Sequence, residues 1–479
     1  MKITDSISRR SFLGSVAAVV ASSQAQTTRP PNIVLVMTDD QGYGDLAVLG
    51  NKVVKTPNLD RLHAESLRFT DFHVSPTCAP TRSALLTGKH EFRNGITHTI
   101  LERERMSLQS TTIAQLLQGV GYSTGIFGKW HLGDDDERQP GKRGFGETFI
   151  HGCGGIGQDY PGTCSDAPGN TYFDPVIRHN GTFERTKGFC TDVFFGQALK
   201  WIEAQRSSEK PFFAYITPNA PHAPLSCPEE YKRMYEGLGL PEATQTYFGM
   251  VTNIDDNVGR LVSRLNDWGL DRNTLFIFMT DNGGTGGVKV FNAGMHGAKG
   301  TPWTGGTRVP AFFRWPGKIQ PGDASQLAAH IDLLPTFAEL AGVTLPEALK
   351  LDGRSLVPVL RDANAPWEHR LLFTHVGRWD KGKAAESKYL NCSVRSNVYN
   401  MVRLSAAKPW ELYDMQADPG ETKDIAAAKS EFVARMDAAY TTWWNEILPG
   451  LENENAVPPA VAPYKKAYWK QYGGGPGVI

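Results

Sequence analysis

The sequence predicts an α/β fold: a large mixed, mostly parallel sheet sandwiched by helices, followed by a smaller C-terminal α+β subdomain of antiparallel strands and a helix. Three observations carry this expectation. Residues 32–37, 211–216 and 274–279 are continuous apolar runs rich in β-branched and aromatic side chains, the pattern of strands buried on both faces of a parallel sheet. Stretches with apolar residues at helical spacing lie between them. From about residue 370 the pattern changes to short strand-like runs and one closing helix.

The chain has 479 residues, room for more than one domain, and its apolar fraction of 40% supports a sizeable core. Fifty basic and 50 acidic residues cancel, which excludes nucleic-acid binding driven by bulk charge and leaves room for a local basic pocket. Residues 1–25 read as an export segment. Ser8-Arg9-Arg10-Ser11-Phe12-Leu13 resembles a twin-arginine signal, the apolar stretch 12–21 is too short to span a bilayer, and Ser23-Gln24-Ala25 offers small residues for cleavage. This predicts transport as a folded protein by the twin-arginine translocase to the periplasm or beyond, with no transmembrane segment in the mature chain. The six cysteines are Cys78, Cys153, Cys164, Cys190, Cys227 and Cys392, with no Cys-x-x-Cys metal pair. An oxidising compartment permits disulfides, and Cys153 with Cys164 is the nearest plausible pair.

Taken in order, the first strand runs into Thr38-Asp39-Asp40-Gln41-Gly42, and strand 274–279 runs into Thr280-Asp281-Asn282-Gly283-Gly284. Open α/β sheets place their sites at the carboxyl ends of strands. Adjacent carboxylates repel unless a cation lies between them. Asp39, Asp40, Asp281 and Asn282 are therefore a candidate oxygen-donor set for a hard cation, Ca2+ or Mg2+ rather than zinc. Cys78-Ala79-Pro80-Thr81-Arg82-Ser83-Ala84-Leu85-Leu86-Thr87-Gly88 predicts a short helix with Cys78 at its mouth. Pro80 suits a first turn, Leu85 and Leu86 give an apolar face, and Gly88 is a C-terminal stop. The free N–H groups of such an N-terminus favour an anion, and Arg82 adds a planar cation beside it. A buried structural cysteine is the plain alternative.

Residues 121–127 read as a strand entering Gly128-Lys129-Trp130-His131-Leu132-Gly133, where alternation puts Lys129 and His131 on one side. The Gly-, Asp- and Pro-rich stretch 134–175 reads as a long loop lining the pocket. Residues 193–205 and 247–268 read as helices, the second through a core stripe of Ile254, Val258, Leu261 and Leu265. Pro218-Asn219-Ala220-Pro221-His222-Ala223-Pro224 sets His222 at a strand end within stiff backbone. Lys299 follows in a glycine-rich segment, with His296 nearby as a candidate substrate contact. The segment from His330 begins a structural helix. Runs 371–376, 392–404 and 410–415 predict antiparallel strands. A helix over 426–446 packs Phe432, Met436, Tyr440 and Trp443 on them. Residues 26–369 thus form a catalytic domain, 370–448 the small subdomain, and 449–479 a Pro- and Gly-rich surface tail.

Cys78-x-Pro80-x-Arg82 closing in Leu86-Thr87-Gly88 resembles the signature of the type I sulfatases, of the alkaline-phosphatase-like superfamily. Gly128-Lys129-Trp130-His131-Leu132-Gly133 resembles that family's second signature, and Pro221-His222-x-Pro224 and Lys299 match as well. The resemblance spans roughly residues 32–448. Thr81 stands where family enzymes often have Ser, and Thr304 where many have Glu, which bears on local packing around the site.

The resemblance implies a sulfatase, acting on a sulfated small molecule or glycan. It implies that Cys78 is oxidised to formylglycine by a formylglycine-generating enzyme in the cytoplasm, before export. One hydroxyl of the aldehyde hydrate attacks sulfur; the other, once deprotonated, expels sulfate by re-forming the carbonyl. It also implies a calcium ion held by Asp39, Asp40, Asp281 and Asn282, with the modified Cys78 as a further ligand. On that scheme Arg82 orients the modified side chain, while Lys129 and Lys299 neutralise developing charge. His222 is the candidate general acid toward the leaving oxygen, His131 the candidate base for the second hydroxyl, and Asp281 a further acceptor for the nucleophile's proton. The competing expectations are a phosphoesterase of the same superfamily and an exported sulfoglycan-binding protein with an inactive site. The lack of a second His and Asp cluster and the full set of catalytic residue types count against them.

Overall fold

The computed structural model describes residues 29–158 and 165–475. The export segment 1–25 and Cys164 lie outside the described residues, and with Cys164 the expected Cys153–Cys164 pairing. Cys153 itself donates its thiol to the Gly155 carbonyl oxygen at 2.8 Å.

A ten-stranded sheet organises the chain. At its centre lies Asn32–Thr38, paired in parallel with Thr274–Thr280 on one side and Phe212–Thr217 on the other. Ser123–Lys129 and Glu147–His151 continue the parallel run beyond Phe212–Thr217. Val176–His179 and Thr182–Arg185 finish that edge as an antiparallel hairpin. Beyond Thr274–Thr280 come Ala311–Arg314, Leu67–Phe69 and Gly322–Ala324, the first two pairings antiparallel. The sheet is thus mixed and mostly parallel at its centre.

Strand Asn32–Thr38 shows how the helices cover both faces. Successive side chains of a strand point to opposite faces. Ile33, Leu35 and Met37 pack with Leu85, Leu86, Leu117 and Phe337, while Val34 and Val36 pack with Phe195, Ile202, Ile254 and Leu261. The first set includes the helix Cys78–Thr87, the second the helices Cys190–Gln205 and Glu242–Asp267. The stripe Ile254, Val258, Leu261 and Leu265 is buried as its spacing predicts.

The C-terminal subdomain is a four-stranded antiparallel sheet of Leu372–His375, Cys392–Arg395, Tyr399–Arg403 and Glu411–Asp414. Helix Ser430–Ile447 lies on it through Met436, Tyr440, Trp443 and Trp444, and Phe92 of the larger domain enters the same core. The single run expected over 392–404 is two strands, broken by the turn in which Tyr399 N donates to Ser396 Oγ at 3.0 Å.

Two further expectations are corrected. The stretch 134–175 is not one loop: residues Glu147–His151 form a sheet strand, because Thr148, Phe149 and Ile150 find buried positions beside Ser123–Lys129. The tail is not confined to the surface. Helix Pro463–Tyr472 returns to the sheet edge, where Tyr464 is fully buried and donates to the Ile150 carbonyl at 3.1 Å. The Gln471 side chain accepts from Phe183 N at 2.8 Å and donates to Phe183 O at 2.7 Å. The last strand's open edge is thereby capped, one of the ways proteins keep such edges from pairing with other chains.

Candidate active site

The predicted site residues come from five strand or helix ends and converge at the carboxyl edge of the sheet. The first strand ends at Thr38, and Asp40 adopts a left-handed backbone, φ 69°. That turn lets Asp40 N donate to Asp281 Oδ1 at 3.2 Å, tying the two strand ends together. Asn282 donates its amide to Asp40 Oδ1 at 3.0 Å. Cys78 is the first residue of its helix, buried, and its sulfur lies within 4.8 Å of ligand atoms of Asp39 and Asp281.

Each cation of the site has a close carboxylate partner. Arg82, one turn into the helix, donates through Nη2 to Asp281 Oδ2 at 2.7 Å. Lys129 Nζ reaches Asp39 Oδ2 at 2.6 Å, with both side chains fully buried. Lys299 Nζ meets Asp40 Oδ1 at 2.5 Å. Burial works against the charge of Asp40, but Lys299 and His222 outweigh it and hold its carboxyl below the usual range. Asp39 goes the other way: burial and the neighbouring Asp281 push it well up, against the pull of Lys129 and Arg82. Burial alone would raise the Cys78 thiol, yet Lys129 and Lys299 bring it down.

These residues fit a hard cation. Asp39 Oδ1 and Asn282 Oδ1 are buried and have no hydrogen-bond partner among the described residues. Such oxygens are costly unless something positive meets them. A divalent ion between three crowded carboxylates relieves both the orphaned oxygens and the repulsion that lifts Asp39.

The two histidines are fixed differently. His131 does not extend the strand as alternation predicts. The strand ends at Lys129, and His131 has φ 59°. It still lines the same small cavity as Cys78, His222 and Lys299, about 140 Å³ in volume. Its Nε2 meets the Thr99 carbonyl at 2.8 Å, so Nε2 carries the hydrogen, and Nδ1 has no partner among the described residues. Burial first and Lys129 second hold it well below the ordinary imidazole range, so it is neutral with a free lone pair. His222 donates through Nδ1 to Ala223 O at 2.6 Å and sets Nε2 3.8 Å from Asp40 Oδ2. Burial lowers its pKa although Asp40 opposes this.

His296, a candidate substrate contact in the sequence, is not in the cavity. It stacks on Trp303 at 4.0 Å between ring centroids. The departure at Thr304 has a structural answer. Glu421, from the small subdomain, accepts from Thr304 N at 3.0 Å and from Thr304 Oγ1 at 2.7 Å, and it is buried there. A carboxylate thus reaches the place by a different route through the chain. Thr99, Ile100, Gln158 and Arg378 also line the cavity, and sequence reasoning missed them. None stands in a motif; Arg378 reaches the cavity only because the small subdomain packs against the larger one.

Among the described residues no helix is long and apolar enough to cross a membrane. The family model for sulfatases matches residues 31–343, and one for the C-terminal part of N-sulphoglucosamine sulphohydrolase matches 299–439. Human arylsulfatase A is 33% identical over 500 residues, covering 92% of this chain and 94% of its own length. N-acetylgalactosamine-6-sulfatase of Canis lupus familiaris is 33% identical over 366 residues, covering 72% of this chain and 69% of its own. Among solved structures, Ps i-CgsB in complex with k-i-k-neocarrahexaose has a TM-score of 0.80 at 28% identity, covering 92% of this chain and 97% of that one. Phosphonate monoester hydrolase SpPMH from Silicibacter pomeroyi shares the fold at a TM-score of 0.63 and 20% identity. With the signature cysteine, the paired lysines and the oxygen-donor set gathered at the carboxyl edge of the sheet, the chain belongs to the sulfatase family, as a type I sulfatase of the alkaline-phosphatase-like superfamily and a sulfuric ester hydrolase.

Proposed function

We propose that this protein is an exported sulfatase that hydrolyses sulfate monoesters of carbohydrates, using the aldehyde hydrate made from Cys78 as nucleophile. The observation that carries the proposal is the meeting of Cys78, at a helix N-terminus, with three carboxylate-paired cations and one oxygen-donor set at the carboxyl edge of the sheet. Asp39, Asp40, Asp281 and Asn282 would hold calcium. When bound, the ion supplies positive charge to the sulfuryl oxygens and favours deprotonation of the hydrate.

The chain's own residues do the rest. Arg82 fixes Asp281 and, through it, the pocket floor next to residue 78. Lys129 and Lys299 meet the negative charge that develops on the sulfate oxygens. His131, neutral and with Nδ1 free, accepts the proton of the second hydroxyl. His222 presents Nε2 to the cavity and protonates the leaving sugar oxygen. Burial lowers the proton affinity of its imidazole, and the charge of an arriving sulfate raises it. Carbohydrate as the alcohol part is supported by the N-acetylgalactosamine-6-sulfatase relative and the neocarrahexaose complex of a similar fold. Conversion of Cys78 by a formylglycine-generating enzyme in the cytoplasm, followed by twin-arginine transport to the periplasm, completes the scheme.

The test is release of inorganic sulfate from sulfated saccharides by matured protein, beside phosphate monoesters of the same alcohols. The proposal expects sulfate release that falls at least tenfold after chelation and returns with calcium. Faster phosphate release would move the phosphoesterase reading forward.

A further inference from the structure

The three inner cations of the site each have a carboxylate: Arg82 has Asp281, Lys129 has Asp39 and Lys299 has Asp40. Arg378 also lines the cavity but is exposed, and it makes no ion pair among the described residues. Its one side-chain hydrogen bond there runs from Nη2 to Thr99 Oγ1 at 3.1 Å. Most of the guanidinium's five N–H donors therefore remain for a ligand.

The chain presents Arg378 at a cost. Gly377 and Arg378 are both left-handed, φ 68° and 62°, and a bulky residue such as Arg is uncommon in that region. A Cβ on Gly377 would come within 2.1 Å of the Thr97 carbonyl oxygen. That same oxygen accepts from Arg378 N at 3.0 Å. On the far side, Arg103 Nη1 donates to Trp379 O at 2.6 Å, and the Arg103 guanidinium lies 5.0 Å from the Trp379 ring centroid. The turn from the small subdomain is thus clamped from both sides by the larger one. Backbone strain held in this way points to a function for the side chain that it displays.

A cavity of about 140 Å³ holds a sulfate group and little more than part of a sugar ring. The remainder of a saccharide has to leave by the mouth, past Arg378. A planar guanidinium matches a second sulfate or a carboxylate there, through two parallel hydrogen bonds. Resting on the sulfatase reading above, we propose that Arg378 forms an anion subsite at the mouth of the catalytic cavity. It binds a second sulfate or carboxylate on the same or the adjoining sugar, and so selects polyanionic saccharides over monosulfated ones.

The experiment uses matured full-length enzyme, with turnover of 4-methylumbelliferyl sulfate as readout. Inhibition constants are measured for monosulfated, disulfated and sulfated uronate-containing disaccharides. Arg378→Asn is the main variant, since Asn tolerates the left-handed backbone; Arg378→Lys keeps the charge without the fork. Arg378→Asn is expected to weaken the dianionic disaccharides by about tenfold to a hundredfold more than the monosulfated one, with partial recovery in Arg378→Lys. Added salt should erode the wild-type preference and leave that of Arg378→Asn flat. A loss confined to the disulfated or to the uronate compound supports the subsite and names its group. Equal effects on all three disaccharides, or none, overturn it. No turnover of any sulfate ester by matured wild-type protein, with the aldehyde confirmed by mass, overturns the sulfatase reading and the subsite with it.

Discussion

Lys129 and Asp39 form an ion pair with no solvent exposure at either side chain. Such pairs add little net stability, yet breaking one by removing a partner costs about 3–5 kcal/mol, because the other charge is left buried. The site is therefore balanced to receive a divalent cation and an anion together. The two histidines test the division of labour. His222→Ala should slow an activated aryl sulfate less than about tenfold and an unactivated sugar sulfate by roughly 10²–10⁴, since only the poor leaving group needs a proton. Steady-state kcat/KM on both substrates checks this, and equal losses contradict the role given to His222. The residues proposed to hold the nucleophile, the sulfate charge and a cation were legible in the sequence, because that chemistry demands those types next to strand and helix ends. Thr99, Ile100, Gln158 and Arg378 were not. Their only qualification is position, and position comes from tertiary packing.

The parallel strands bring the site together at the scale of elements, and their close approach sets a requirement. Gly128 has φ 130°, and a Cβ there would fall 2.0 Å from the Thr217 carbonyl oxygen of the neighbouring strand. Thr217 Oγ1 in turn donates to Lys129 O at 3.0 Å. Gly128→Ala is both strained in backbone and blocked in space, so the two strands must part just where Lys129 leaves them. The expected result is a Tm lower by roughly 5 °C or more with loss of most activity, read by thermal denaturation and turnover. A variant with wild-type Tm contradicts this account of the strand pair. Buried strands such as 32–38 were readable from unbroken apolar runs. Glu147–His151 was hidden because it is short and follows Gly144 and Gly146, whose composition reads as loop.

For the whole molecule, the small subdomain is joined to the larger one by a shared core and by buried polar links. Phe92 enters the subdomain core, Arg370 meets Asp332 at 2.7 Å, and Glu421 meets Thr304. Between the two units lies a cavity of about 410 Å³ bordered by Glu91, His330 and Trp443. Burial pushes the Glu91 carboxyl up to about 7 from an ordinary 4.5, although Ser75 donates to it at 2.9 Å. A carboxyl raised in the folded state favours folding fully below about pH 4.5 and loses that contribution as pH climbs through 7. Glu91→Gln should therefore gain Tm relative to wild type at pH 8 compared with pH 5. A constant difference between those pH values argues against a neutral Glu91 in the folded protein. The change of pattern near residue 370 announced the second unit. The return of helix Pro463–Tyr472 to the sheet edge was masked by the Pro- and Gly-rich composition around it.

The central claim is that residue 78 acts as an aldehyde rather than a thiol. The direct measurement is the mass of the tryptic peptide 69–82 from protein made in its natural host. The account predicts the mass of the aldehyde in place of the cysteine, in molecules that release sulfate. An unmodified thiol in natural-host protein that still turns over sulfate esters contradicts it.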